Sequence, residues 1–151
     1  MARRAHSRAE LRRKLARRGY PEPEVAAAVA RLAEMRLQDD GQFAEGHVRR
    51  RSSTRGPLAL SAELAARGVD RRLVDEALAD FGPEAQLAVA IDLAGRLAAR
   101  RRPAGYQELL NTVGTRLVRR GFAPHLVRSA CQAVWHGTDD GLEAQASPPV
   151  V

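Results

Sequence analysis

The sequence predicts an all-α protein built from tandem helical hairpins, on three observations. Ala and Leu recur throughout while aromatic residues make up only 4% of the chain, and the alternating β-branched runs that mark strands are missing. Apolar residues return every three or four positions, the spacing of one helix face. Finally, an Arg-Gly pair recurs in one helical setting, at Arg18-Gly19, Arg67-Gly68 and Arg120-Gly121, 49 and then 53 residues apart.

Aligned on its glycine, each copy repeats a pattern of apolar columns. Eight and four residues before it stand Leu11 and Leu15, Leu60 and Leu64, Val113 and Leu117. One residue after it come Tyr20, Val69 and Phe122; six after, Val25, Val74 and Val127; nine after, Ala28, Ala77 and Ala130; thirteen after, Leu32, Phe81 and Val134. Each copy therefore reads as a helix, a glycine stop in the left-handed conformation, a buried apolar residue and a second helix. Helix starts are marked as well: Ser7 with Glu10 forms a capping-box pattern, Pro57 follows Gly56 at a first helical position, and Pro21, Pro23 and Pro124 suit the opening turns of second helices.

Two further segments with helical spacing lie between the hairpins. One starts at Asp39-Asp40 and runs through Phe43, Ala44, His47 and Val48 to Arg51; the other runs from Pro83 through Leu87, Ile91, Ala94 and Leu97 to Arg101. The repeat is thus a three-helix unit with its glycine between the second and third helices, giving eight main helices. The expected organisation is a first repeat over 1–37 that lacks most of its first helix, complete repeats over 38–82 and 83–136, and a disordered acidic, proline-containing tail over 137–151. Six residues before Ser7 are too few for a stable helix, so the first hairpin is expected to be the least covered and least stable part.

Composition bounds the function. With 151 residues, 44% hydrophobic and 28% charged, the chain can bury a core. No run of 18 apolar residues exists, and MARRAHSRAE lacks the apolar middle of a secretory signal, so the expected location is the cytoplasm, with no membrane partner. One cysteine, Cys131, cannot form an internal disulfide. The net charge of +7 rests on 25 basic residues, of which Lys14 is the only lysine, and it points to an anionic partner.

The hairpins resemble a helix-turn-helix, but the chemistry of their second helices does not suit duplex reading. Glu22, Glu24 and Glu34 in the first, and Asp75, Glu76 and Asp80 beside Arg71 and Arg72 in the second, would repel phosphates; the third offers mainly Arg128, Ser129 and Gln132. Positive charge gathers at the ends of the other helices, in Arg49, Arg50, Arg51 and Arg55, in Arg100, Arg101 and Arg102, and in Arg116, Arg119 and Arg120. Cations at helix C-termini complement the macrodipole, yet three consecutive arginines in each of two linkers repel one another unless something anionic offsets them. Arg49, Arg50, Arg51, Arg55, Arg100, Arg101, Arg102, Arg119 and Arg120 are the candidate partner or nucleic-acid contacts.

Catalytic patterns are thin. Adjacent Asp39 and Asp40 read as a helix cap rather than an acid/base pair. His125, Cys131 and His136 match no common zinc spacing, and Cys131 falls in the core column held by Val29 and Leu78. Gly41, Gly46 and Gly114 lie in helical patterns without the neighbours of a phosphate loop. Neither an enzyme, a metal site nor a cofactor is expected.

Two stretches, SRAELRRKLARRGYPEPEVAAAVARLAEMRLQDDGQFAEGHVRRR and RGPLALSAELAARGVDRRLVDEAL, resemble the RecX family of bacterial regulatory proteins. The resemblance rests on Glu-Leu-x-x-Lys-Leu before Gly19, on Leu-x-Asp-Asp-x-x-Phe-Ala from Leu37 to Ala44, and on Gly-Pro before the Leu60 to Gly68 helix. It implies an elongated, curved array of three-helix repeats, expected to be monomeric, that binds the RecA recombinase filament and its single-stranded DNA within the helical groove. It implies that the chain modulates RecA, mostly by inhibition, in recombination, DNA repair and the SOS response. A general basic nucleic-acid-binding helical module, with weak direct DNA binding and no dedicated protein partner, is the alternative. Gly41, Gly46 and His47 depart from the family's usual helix formers and aromatics in that helix.

Overall fold

The computed structural model describes residues 4–145, and side chains from residue 4 to residue 137. Among them every regular element is helical: α1 (Arg8–Arg17), α2 (Glu22–Glu34), α3 (Asp40–Arg51), α4 (Pro57–Ala66), α5 (Arg71–Leu78), α6 (Pro83–Arg101), α7 (Tyr106–Leu109), α8 (Thr115–Arg119) and α9 (Pro124–Gln145). A π-helical stretch, Leu110–Gly114, joins α7 to α8 without a break, so these segments make eight helices. The widened π turn lets both Leu109 and Val113 face the core, as Leu117 does.

The caps follow the sequence signals. Ser7 Oγ accepts from the Glu10 amide at 3.1 Å, Asp39 accepts from Gly41 at 2.8 Å and Gln42 at 3.1 Å, and Asp70 accepts from Arg72. Only half of the expected capping box forms at Ser7, because the Glu10 carboxylate turns instead to Arg4 at 2.6 Å and Arg67 at 3.4 Å. Gly19, Gly68 and Gly121 close their helices at φ of +89°, +78° and +96°, a region open to glycine at no steric cost.

One expectation is corrected. Helix α9 continues to Gln145, where a disordered tail was expected from residue 137. The stretch 137–145 contains no proline to stop the ladder, and the first proline beyond it is Pro148. The rest of that expected tail, residues 146–151, and the N-terminal residues 1–3 lie outside the described residues.

The chain gathers into two compact units, Met1–Ser52 with Leu60–Asp80, and Ser53–Ala59 with Phe81–Val151. In the first, α1 packs on α2 and α3 on α5, enclosing Val25, Val29, Phe43, Ala44, Leu60, Leu64, Val69 and Val74. In the second, α6 lies along α9 over a core of Leu93, Leu109, Val113, Leu117, Phe122, Leu126, Val127 and Cys131. Each large side chain so buried stabilises its unit by about 1.5–3 kcal/mol relative to exposure.

The Arg-Gly turns do more than end helices. At the second turn, Ser7 Oγ donates to the Arg67 carbonyl at 2.5 Å and Ala9 lies against Gly68, where an added Cβ would overlap the Ala9 Cβ. At the third, the Gly56 amide donates to the Arg120 carbonyl at 2.7 Å, the Leu58 amide donates to Gly121 at 3.1 Å, and Ala59 occupies the space a Gly121 Cβ would take. Both turns thus act as sockets for the N-terminal turn of a helix, α1 in one case and α4 in the other. This is why the first turn of α4 belongs to the second compact unit while the rest of the helix belongs to the first.

Candidate partner-binding surface

In the first unit the arginine run closing α3 divides between two roles. Arg49 and Arg50 are exposed. The Arg50 guanidinium folds back over Gly46, where a Cβ would stand 3.1 Å from Nη1, so the missing side chain makes room for it. Arg51 instead turns inward: its Nε lies 3.1 Å from Glu63 Oε2 and its Nη2 donates to Oε1 at 3.3 Å. Glu63 also meets His47 Nε2 at 2.7 Å. One carboxylate on α4 therefore holds two side chains of α3.

His47 is buried, 3% exposed. Its ring stacks on Phe43 with centroids 6.4 Å apart, and the Arg67 guanidinium covers the other partner of that stack, 5.9 Å from the Phe43 centroid. The carboxylate partner meets the cost of burying an imidazole nitrogen. The sequence carried half of this signal, in the four-residue spacing of Phe43 and His47 on one helix face; Glu63, sixteen residues on, was not predictable from spacing.

In the second unit the structure brings two predicted arginines together with one that the sequence reading passed over. Arg100 and Arg120 line a concave pocket of about 140 Å³ with Arg96 and Thr54, over a floor of Leu93, Leu97 and Leu117. Arg120 is fixed twice, by its carbonyl bond to Gly56 and by Nη1 donating to the Thr54 carbonyl at 3.2 Å. Arg96 pairs with Asp92 one turn earlier on α6. Its four-residue spacing from Arg100 was the available clue, masked by the triple arginine that follows. Arg101, Arg102 and Arg119 stand exposed, and Arg102 ends α6 in a left-handed conformation with its amide bonded to the Ala98 carbonyl. Arg55 is half-buried in the loop before α4.

Guanidinium forks above an apolar floor suit phosphate or carboxylate oxygens, because the low local polarity strengthens each charge-assisted hydrogen bond. Cys131 is fully buried and its thiol is pushed up by desolvation, so it is held protonated and unreactive. Among the described residues no three His, Cys, Asp or Glu side chains come together to hold a metal ion, and no helix is long and apolar enough to cross a membrane.

Comparison with known proteins supplies the family. Residues 1–32 match the first three-helix domain of RecX, and residues 39–78 match its second three-helix domain. Regulatory protein RecX of Halorhodospira halophila is 40% identical over 88% of this chain and 82% of its own length. Regulatory protein RecX of Mycolicibacterium smegmatis is 41% identical over 79% of this chain, which spans 66% of that relative; other curated relatives are spanned for about half of their length. The crystal structure of RecX from Lactobacillus salivarius superposes with a TM-score of 0.78 at 24% identity, covering 87% of this chain and 86% of that one, a likeness of fold. With two matched three-helix domains, a 40% identical relative covered over most of its length and the same repeated helical architecture, the chain belongs to the RecX family of regulatory proteins.

Proposed function

We propose that the chain is a regulator of RecA that binds the recombinase filament in its helical groove and modulates it, mostly by inhibition, in recombination, DNA repair and the SOS response. The observation that carries this reading is the set of outward-facing arginines, Arg49 and Arg50 on one unit and Arg96, Arg100 and Arg120 on the other, in a chain whose relatives are named regulatory proteins. A nucleoprotein groove presents phosphates and acidic protein surface over a long path, which matches such scattered charge better than one deep cavity would. On this reading the protein works in the cytoplasm as a monomer, without a cofactor.

The test is co-sedimentation with RecA assembled on single-stranded DNA with a non-hydrolysable nucleotide. The double reversal Arg49→Glu/Arg50→Glu should weaken capture while leaving the fold intact, since neither side chain serves Glu63. Wild-type capture should also fall as salt rises. Salt-independent capture would mean that the arginines are solvated and uninvolved. The pocket of Arg96, Arg100 and Arg120 favours a second reading, a general binder of nucleic-acid phosphates. That reading requires equal affinity for bare single-stranded DNA and for the assembled filament.

A further inference from the structure

Three arginines and three leucines of the second unit share one register. Leu93 and Arg96, Leu97 and Arg100, and Leu117 and Arg120 are each three residues apart, so on α6 and at the end of α8 every arginine stands one turn beyond a leucine of the same helix face. All six line the pocket of about 140 Å³, with charge above carbon. Arg96 and Arg100 are exposed and Leu97 between them is half-buried, so both kinds of surface are open to a visitor. Arg96 is paired with exposed Asp92, a pair that solvent weakens and that a competing carboxylate displaces at little cost. Arg120 is held by the Thr54 carbonyl at 3.2 Å, so its guanidinium loses little freedom when it is engaged.

We propose that this pocket docks an acidic segment of a partner protein, one in which a large aliphatic side chain is flanked by carboxylates. The proposal rests on the reading of the chain as a regulator with a protein partner, and it names the chemistry that one of its surfaces recognises. Charge by itself would admit any anion; size and lining select among them. Sites that enclose a nucleotide or cofactor hold about 300–1,000 Å³, whereas about 140 Å³ admits a single side chain. Single-stranded nucleic acid is gripped through bases stacked on aromatic rings, and no aromatic side chain lines this pocket. A phosphodiester pressed onto the leucines would also turn oxygens against carbon, leaving them without partners. A peptide separates the two tasks. Its aliphatic side chain covers Leu97, while neighbouring carboxylates meet the guanidinium forks, whose paired N–H donors match the two oxygens of a carboxylate. The leucines keep water from one side of those pairs, which strengthens them.

The test uses the whole chain, ¹⁵N-labelled, with the end-capped peptide Asp-Glu-Leu-Glu-Asp as probe. Amide shifts should centre on Leu97, Arg100 and Arg120 as the peptide rises to about 1 mM, the range expected for so small a contact. Exchanging the peptide's leucine for alanine should weaken binding about fivefold, because the floor then loses its cover. In the chain, Arg96→Gln/Arg100→Gln changes two exposed positions and should weaken binding about fivefold with an otherwise unchanged spectrum. Pentathymidylate of equal charge should bind about fivefold more weakly than the peptide, having neither an aliphatic side chain for the floor nor a ring to stack on. Equal or tighter binding of pentathymidylate would overturn the proposal in favour of a nucleic-acid site. No shift, or equal binding of the alanine peptide, would overturn it too. The chain's own acidic stretch around Leu142 lies within α9, and Asp139→Asn/Asp140→Asn/Glu143→Gln should leave peptide binding unchanged. Tighter binding by that variant would reassign the occupant to the chain itself, and shifts that grow with chain concentration in the absence of peptide would reassign it to a second copy. Failure of the peptide with filament capture retained would sink this docking site and leave the regulator reading standing; the opposite pair of results would do the reverse.

Discussion

Replacing Gly68 by alanine separates two costs that the structure predicts to be distinct. At φ +78° an alanine pays about 1–2 kcal/mol for its Cβ in the left-handed region. The new methyl would also overlap the Ala9 Cβ on α1, and such overpacking adds about 1–3 kcal/mol because α1 is held by Ser7 and Glu10 and cannot simply move away. The unfolded chain, made stiffer, gives back about 0.4–1 kcal/mol. The net loss is roughly 2–4 kcal/mol. Gly19→Ala, in the same compact unit and at φ +89°, has the first and last contributions but no neighbour, and should lose only about 0.5–1 kcal/mol. The double variant Gly68→Ala/Ala9→Gly removes the overlap, so after about 1 kcal/mol for the helical glycine it should show a favourable coupling of about 1–3 kcal/mol. Urea unfolding followed by circular dichroism measures the wild type, Gly68→Ala, Gly19→Ala, Ala9→Gly and the double variant, with unchanged m-values as the check that the unfolded state is comparable. Equal losses at Gly19 and Gly68, or an additive double variant, would refute the socket as the reason for glycine at this column.

Amide exchange should be faster at Leu15 than at Leu64, since Leu15 is half-buried while Leu64 is fully enclosed; equal protection would show that the first hairpin is covered as well as the second. Glu63→Ala strips the partner from buried His47 and from Arg51 and should cost about 1–3 kcal/mol in a denaturation curve, against less than about 0.5 kcal/mol for exposed Arg49→Ala. Cys131 should resist iodoacetamide until the second unit unfolds. Burial raises its thiol in the folded state, so its contribution to stability is full below the unfolded thiol's ordinary value of 9.0 and is lost as pH rises above it, read as a falling urea midpoint in alkaline buffer.

The helices, their caps and the repeat were legible in the sequence because each is a local property. Three glycines at φ above +75° recur with their flanking leucines, Asp39 caps the helix it precedes, and a face repeating every three or four residues has one inward side whatever it packs against. The extent of α9 was misjudged because acidic, polar residues without strong helix propensity can remain helical when the turns before them are anchored, as Leu126, Val127 and Ala130 anchor α9.

The candidate surface was legible only in outline. Clusters of arginine were visible, but how they are arranged was decided by partners distant in sequence: Glu63 pairs with Arg51, the Thr54 carbonyl takes one edge of Arg120, and Arg120 joins Arg96 and Arg100 only because Leu93 and Leu97 turn their shared face toward Leu117. Periodicity states which side of a helix is buried; what buries it is set by long-range packing, since a side chain's partner there is chosen by three-dimensional proximity and not by spacing along the chain.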